Sequence, residues 1–250
     1  MVSDQGADRS AGAAGFPGGV GVSGLRVYDW PAADGVCGGS PHVHLVCAEA
    51  YVVVGGSGHV QTLNAQGYAE TSLSAGAVVW FTPGTIHRLV NSDGRLHILV
   101  IMQNNGLPEA GDAVFTFPPA TLADAGAYER AAALHGDPDE AALARRDLAL
   151  EGFFELSARV RAGELGALKD FYGAARALKA GSFGAWRERW EAGPLAAAAR
   201  TGEQLERLAA GDWSHLTEAA VHRLAPPEER RHGMCGRLDT YDPSAGRPPG

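Results

Sequence analysis

The sequence has few cysteines, no excess of basic residues and no long apolar run. Three cysteines occur among its 250 residues, Cys37, Cys47 and Cys235, and none of them belongs to a CxxC pair. An odd number of separated thiols argues against a framework of disulfide bonds, so a reducing, cytoplasmic compartment is expected. No stretch approaches the roughly 20 apolar residues that cross a bilayer, and the first residues lack the basic start and apolar core of a signal peptide. We therefore expect no membrane partner.

Basic residues are outnumbered, at 21 Lys and Arg against 29 Asp and Glu, which gives a formal net charge of −8. This balance disfavours nucleic acid and anionic membranes as partners, because both attract positive surfaces. The C-terminal half contains no strongly basic helix, so a DNA-binding helix-turn-helix is not expected either. The expected partner is a small molecule.

Composition divides the chain into four parts. Residues 1–24 consist mainly of Gly, Ala and Ser and predict a flexible tail. Residues 25–118 alternate short apolar runs with turns rich in Gly, Asn, Asp and Pro, which is typical of an antiparallel β-barrel. Residues 119–224 are rich in Ala, Leu, Glu and Arg and predict four to six helices. Residues 225–250 predict an irregular surface tail, with folding back onto the barrel mouth as the alternative.

Tight turns mark the strands of the predicted barrel. A Gly-rich turn at residues 55–58 separates two apolar runs, and a Pro-Gly turn at residues 83–84 separates two more. Each pair of runs is predicted to form a hairpin around its turn. A further strand is predicted over residues 97–102.

Four residues of types that bind metal ions lie in or beside these strands: His42, His44, Glu49 and His87. His42 and His44 share one face of an extended segment, because alternate side chains of a strand point the same way. Strict alternation would put Glu49 on the other face, so a break is predicted near residues 47–48. Three imidazoles and one carboxylate suit one divalent transition metal ion, and Fe, Mn, Zn, Ni, Co and Cu all fit this donor set.

The spacing of these residues resembles the two sequence motifs of the cupin superfamily. The first motif is His-x-His-x4-Glu-x6-Gly, starting at His42, and the second is Gly-x6-Pro-Gly-x2-His-x3-Asn, ending at Asn91. The likeness covers about residues 20–118, and its departures from the usual pattern, such as Val36 in place of Gly, fall in loops.

The resemblance implies a fold and a ligand set. Cupins are small antiparallel β-barrels or jelly rolls, also called double-stranded β-helices, in which three His and one Glu hold a single divalent metal. By resemblance, those ligands are the four residues named above, and a homodimer is the expected assembly. The expected architecture is a mainly β barrel followed by an α-helical C-terminal region.

Five further residues are candidates for the chemistry around the metal. Tyr51 shares the face of Glu49, so its hydroxyl is predicted near the ion, and His97 is the other candidate for acid–base catalysis. The candidates for substrate binding are Gln61, Asn91 and Gln103. Ordinary barrel packing or a solvated position is the alternative for each.

Three functions fit a metal site with open coordination positions. The first is an enzyme that acts on a small, oxygen-rich metabolite, such as a sugar or an oxoacid, by isomerase, epimerase or lyase chemistry. The second is an Fe(II)-dependent dioxygenase. The third is a non-catalytic protein that binds a metal and a metabolite. The polar candidates around the barrel favour the first, since a pocket for an aromatic dioxygenase substrate would be more apolar.

Overall fold

Two antiparallel sheets face each other across an apolar interior. The computed structural model describes residues 15–243, and the strands within that range are β1 (Gly21–Val27), β2 (His42–His44), β3 (Glu49–Gly55), β4 (Ser57–Asn64), β5 (Gly67–Ser74), β6 (Val78–Phe81), β7 (Ile86–Asn91), β8 (His97–Met102), β9 (Ala113–Phe115), β10 (Arg231–His232) and β11 (Gly236–Thr240). One sheet has the order β10-β11-β1-β8-β3-β6, and the other has the order β5-β4-β7-β2-β9. The predicted jelly-roll barrel is confirmed.

The two predicted tight turns are present, but the strands they join do not pair with each other. β3 pairs with β6 and β8, whereas β4 pairs with β5 and β7. The chain therefore crosses between the sheets at Gly56, which has φ +74° and where a Cβ would lie 2.3 Å from the carbonyl carbon of Arg95. The Pro83-Gly84 turn likewise joins β6 of one sheet to β7 of the other. The hairpin predictions were wrong because apolar runs identify a strand without identifying its partner.

The first strand begins earlier than predicted. The sequence predicts a flexible tail up to residue 24, but β1 starts at Gly21 and a short 3₁₀ turn precedes it at Pro17–Gly19. Backbone pairing with β8 on one side and β11 on the other holds this segment, which has no large side chain to mark it as a strand. Residues 1–14, the rest of the predicted tail, lie outside the described part of the chain.

The C-terminal segment joins the sheet, which corrects the prediction of an irregular tail. β10 and β11 form a hairpin, and β11 pairs along β1. The approach to the barrel is close, because a Cβ on Gly39 would lie only 2.3 Å from the Cα of Cys235. The Ser40 N–H donates to the Met234 carbonyl at 2.9 Å. Glycine at position 39 therefore admits the C-terminal segment, while residues 244–250 lie outside the described range.

Helices follow the barrel, as predicted: α1 (Pro119–Leu122), α2 (Ala125–Ala132), α3 (Pro138–Arg161), α4 (Gly166–Lys179), α5 (Phe183–Trp190) and α6 (Ala196–Ala209). Asp137 caps α3, because its side chain accepts the backbone N–H groups of Asp139 and Glu140. A π-helical turn connects α5 to α6 at Pro194, a residue that has no N–H to donate. None of the described helices combines the length and the apolar character needed to span a bilayer.

Helices α1 to α4 pack on the outer face of the five-stranded sheet. An outer cluster joins sheet residues to helix residues, among them Val43, Ile86, Val114, Phe153, Leu156 and Phe171. A second cluster fills the space between the sheets, among them Tyr51, Val53, Val60, Leu89 and Val100. β2 illustrates the division, since Val43 faces the helices while the histidines on either side of it face the interior. One wall of the barrel is thus buried on both sides.

Glycine at position 152 sets how closely α3 approaches the barrel. A Cβ there would lie 2.1 Å from the Thr116 carbonyl oxygen. We predict that Gly152→Ala lowers the free energy of unfolding by about 1–3 kcal/mol through overpacking, measured by urea denaturation. Gly173→Ala in α4 is the matched control, because it meets no atom within 4 Å and should stabilise the helix by up to about 1 kcal/mol. Equal shifts in both variants would contradict this packing.

Candidate metal centre

The four predicted ligands meet inside the barrel. β2 supplies His42 and His44, β7 supplies His87 directly opposite His42, and β3 supplies Glu49 from the facing sheet. One ligand atom of each residue lies within 4.8 Å of the other three, and all four side chains are buried. The predicted break is present as a crossover. The chain leaves one sheet after His44 and enters the other at Glu49, which turns the carboxylate toward the imidazoles.

The distances and the unsatisfied polar atoms in this cluster fit a metal ion. Glu49 Oε2 lies 3.1 Å from His87 Nε2 and 3.5 Å from His44 Nε2. Bonds of about 2.0–2.2 Å to a shared ion would place ligand atoms roughly 3–4 Å apart. Glu49 Oε2 and His87 Nε2 are both buried without a hydrogen-bond partner, a costly state that coordination relieves. The donor set fits one divalent ion and does not identify the element.

Each imidazole is oriented by a hydrogen bond from its Nδ1–H group. The three bonds run from His42 to the Ser40 carbonyl (2.9 Å), from His44 to the Asp112 carboxylate (2.7 Å) and from His87 to the Thr85 carbonyl (3.0 Å). Because Nδ1 carries the proton, the lone pair on Nε2 of each ring is available to bind a metal. The same Ser40 is bound by the C-terminal segment, so that segment helps to position His42.

Comparisons with known proteins give similarity in structure only. No family model and no curated protein matches the chain. An uncharacterized conserved protein with a double-stranded β-helix domain from Klebsiella pneumoniae aligns over 35% of this chain and 67% of its own, at 20% identity and a TM-score of 0.27. The capsular polysaccharide assembling protein CapF from Staphylococcus aureus aligns over 38% of this chain and 27% of its own, at 20% identity and a TM-score of 0.31.

A third solved structure, WlaRA (TDP-fucose-3,4-ketoisomerase) from Campylobacter jejuni, aligns over 38% of this chain and 64% of its own, at 10% identity and a TM-score of 0.30. The chain therefore spans less than two thirds of CapF and of WlaRA. Its own strand order and its buried cluster of three His and one Glu match the fold and the ligand set that the cupin resemblance implies. This barrel has the double-stranded β-helix fold.

Electrostatics in the cluster favour a neutral His42 and an ionised Glu49. Burial lowers the pKa of His42 well below its usual range, and the charges of His87 and His44 lower it further. Burial alone would raise the pKa of Glu49, but His87 and His44 hold it below its usual value. Burial also opposes protonation of His44, yet the hydrogen bond to Asp112 and the charge of Glu49 raise its pKa. Asp112 therefore strengthens His44 as an electron donor.

Tyr51 lies beside the cluster, as its position on β3 predicts. It is fully buried, and its hydroxyl makes no hydrogen bond of good geometry. The hydroxyl lies close enough to Glu49 for the charge of that carboxylate to shift its pKa. Burial first, and then the Glu49 charge, raises the pKa of Tyr51 well above its usual value, so the hydroxyl stays protonated. The Phe81 ring borders the same space, with its centroid 5.3 Å from that of Tyr51 and 4.3 Å from that of His87. The site wall is aromatic, and the Tyr51 hydroxyl lies next to the Glu49 carboxylate.

Two residues predicted for the site lie on the outside of the barrel. The buried face of β8 begins at Ile98, so His97 projects to the outer side. Gln61 lies on the outer face of β4, where its amide group donates to Glu70 at 3.2 Å. Strand parity groups residues by face but does not say which face is inside. These positions remove His97 as a base at the cluster and Gln61 as a substrate ligand there.

Asn91 and Gln103 are engaged by the backbone. Asn91 faces the interior as predicted, but its amide donates to the Val27 carbonyl and accepts the Leu96 N–H, each at 3.0 Å. Gln103 Oε1 accepts the Ala48 N–H at 3.2 Å. These bonds tie strands and connections together. Substrate binding by the two amides stays a prediction.

Asp112 is the residue of the site that sequence reasoning missed. It is fully buried just before β9, which pairs with β2 so that Ala113 lies opposite His44. The Asp112 and His44 side chains are 68 positions apart in the sequence. A lone aspartate in a loop belongs to no motif, so only the β2–β9 pairing reveals it.

Loss of the Asp112 charge should weaken metal binding. We predict that Asp112→Asn lowers affinity for Mn(II) or Zn(II) about 10–100-fold while the fold is kept, because the His44 ring loses its anionic anchor. Isothermal titration calorimetry on the metal-free protein measures this. Asp170→Asn, at an exposed position on α4, is the control and should bind normally. Unchanged affinity in Asp112→Asn would contradict the assigned role.

Proposed function

We propose that this protein is a metal-dependent cupin enzyme that acts on a small, oxygen-rich metabolite by isomerase, epimerase or lyase chemistry. The observation that carries the proposal is a buried cluster of three His and one Glu with a buried, protonated tyrosine hydroxyl beside it. A divalent ion, when bound to His42, His44, Glu49 and His87, supplies a Lewis acid for substrate oxygens.

Tyr51 is the residue suited to hydrogen-bond or protonate a substrate oxygen at this site. Its raised pKa keeps the hydroxyl protonated at neutral pH, so that it can donate a hydrogen bond to a substrate oxygen. Its burial, together with the neighbouring Phe81 ring, keeps the hydroxyl away from bulk water. The Asp112 carboxylate accepts a hydrogen bond from the His44 ring, so it orients that candidate metal ligand. The proposed division of labour is that Asp112 positions the metal-binding ring and Tyr51 acts on the substrate.

An Fe(II)-dependent dioxygenase is the second candidate, and the aromatic wall favours it. The Phe81 ring lies 4.3 Å from the His87 ring and the Phe115 ring lies 6.4 Å from the His42 ring, between centroids. Apolar surroundings suit an aromatic substrate. The polar groups Gln61 and Gln103, which favour a polar substrate at the level of sequence, do not face the cluster.

Two assays distinguish these functions. The metal-loaded protein is incubated in D₂O with a panel of sugars and oxoacids, and proton NMR follows exchange of their C–H groups. An oxygen electrode follows the Fe(II) form with the same panel and with aromatic substrates. Exchange or isomerisation without oxygen uptake supports the proposal. Substrate-dependent oxygen uptake supports the dioxygenase, and tight metabolite binding without turnover supports a binding protein; either result contradicts the proposal.

Removal of the Tyr51 hydroxyl should impair catalysis without loss of the metal. We predict that Tyr51→Phe lowers kcat for the substrate found in these assays about a hundredfold or more, because the proton donor is lost while the ring still fills its space. Metal content is expected to stay that of the unaltered protein.

Tyr172→Phe is the matched control for this prediction. The Tyr172 hydroxyl donates to the Gly84 carbonyl at 2.6 Å, so its loss affects a loop contact and should change kcat little. A kcat of Tyr51→Phe within a factor of about two of the unaltered protein would remove Tyr51 from the proposed chemistry.

A further inference from the structure

The strand β6 forms an apolar and exposed edge of the barrel. It stands at the end of the six-stranded sheet and pairs with β3 on one side only. Val78 and Trp80 project from its outer face, with 55% and 72% of their surfaces exposed, and Trp80 is the most exposed large apolar residue in the described range. An unpaired apolar edge of this kind is a template for pairing with another strand.

The other sheet edges in residues 15–243 are less open to such pairing. β10 has only two residues, Arg231 and His232, and both are polar. β5 carries Glu70 within a run of exposed residues, and β9 is buried along its whole length. Residues 71–86, which include β6, contain no charged side chain, although 20% of the whole chain is charged. Charge and proline are the usual protection of an edge strand, and β6 has neither.

Backbone hydrogen bonds around β3 show how its neighbours are paired. The Gln103 N–H donates to the Ala48 carbonyl at 2.9 Å, on the side of β8. The Val53 N–H donates to the Ala77 carbonyl at 3.0 Å, on the side of β6. Alternate residues of an antiparallel strand direct their backbone groups to the same side. Even-numbered residues of β3 therefore bond to β8, and odd-numbered residues bond to β6.

The same alternation identifies the free backbone groups of β6. Val79 and Phe81 lie opposite odd-numbered residues of β3, so their N–H and C=O groups point toward β3. The N–H and C=O groups of Val78 and Trp80 consequently point away from the sheet. These two residues, whose side chains are the exposed ones, offer both a donor and an acceptor each to a further strand.

This edge is complementary to itself about a two-fold axis. When two β6 strands meet antiparallel with Val79 at the axis, Val78 of each strand lies opposite Trp80 of the other. Residues with outward backbone groups then face each other, so each of the two equivalent pairs exchanges both of its hydrogen bonds. The register also places each Trp80 ring across from a valine on the outer face, which is a favourable aromatic and β-branched pair.

We infer that β6 is a dimer interface, at which the six-stranded sheets of two copies of this chain join into one continuous sheet. A second copy is the occupant because one register satisfies both strands equally. The edge also lets two chains, each of net charge −8, meet without like charges in contact, since residues 71–86 are uncharged. The interface needs neither a metal nor a substrate, so it is independent of the proposed enzyme function.

The test measures the mass of the full chain in solution by analytical ultracentrifugation over a series of concentrations. We expect the unaltered protein to have twice the mass of one chain. Trp80→Lys places a charge beside the edge and removes an aromatic anchor, so the dimer should dissociate at least about thirtyfold more readily. Val78→Pro removes an outward N–H group without removing a bond to β3, and it should weaken the dimer as well.

Trp213→Lys is the matched control. Trp213 is also an exposed tryptophan, with 62% of its surface accessible, but it follows α6 and lies in none of the strands. The substitution is the same as at position 80, so a general effect of exchanging an exposed tryptophan for lysine would appear in both variants. A dimer kept in Trp213→Lys and lost in Trp80→Lys supports the inference. Circular dichroism checks that each variant is folded.

Three results would overturn the inference. The first is an unaltered protein that is a monomer at every concentration, and the second is a dimer that persists in Trp80→Lys. The third is a dimer that Trp80→Lys disrupts and Val78→Pro leaves unchanged, because contact through side chains alone would then explain it. If the variants do not fold, hydrogen-exchange mass spectrometry of the unaltered protein decides, since the β6 peptide should exchange more slowly as concentration rises, and equal exchange would contradict the pairing.

Discussion

The pairing of β2 with β7 is the contact on which the candidate site depends. It sets His42 directly opposite His87, with His44 two positions further along β2. The crossover to β3 then brings Glu49 from the facing sheet into the same space. Four polar side chains thus converge in an apolar interior, where two of their ligand atoms have no hydrogen-bond partner. A bound ion satisfies this arrangement, and the Nδ1 bonds of the three histidines prepare the site for it.

The sequence predicts the barrel, the helical region and the ligand set because each has a local signature. His42 and His44 alternate on one strand, Glu49 follows a break, and Asp137 with Pro138 marks the start of the longest helix. Local patterns carry this information directly. The barrel and the helical region are therefore confirmed and the four side chains converge, while metal binding by them stays a prediction.

Predictions that needed the pairing of distant strands were less successful. The sequence predicts a hairpin around Gly56, but the turn passes between two sheets. His97 is a candidate base from the sequence, but β8 turns its other face inward. Asp112 was missed because its partner is far away in the sequence. The strand β11 could not be foreseen either, since its place depends on β1 and on the glycine at position 39.

The parts of the chain outside the barrel motifs support the site from two directions. The C-terminal segment holds Ser40, whose carbonyl orients His42. The helices bury the outer face of the five-stranded sheet, which carries three of the four ligands. Rigid support of this kind is what keeps ligand side chains in position for binding. The helical region therefore supports the sheet that carries three of the four candidate ligands.

The most direct test of this account is the metal content of the protein purified without chelator and without a nickel affinity column. Elemental analysis by mass spectrometry should find about one equivalent of a divalent transition metal per chain, and His44→Ala, which removes one ligand, should contain almost none while remaining folded. No metal in the unaltered protein, together with no affinity for any added divalent ion, would contradict the account.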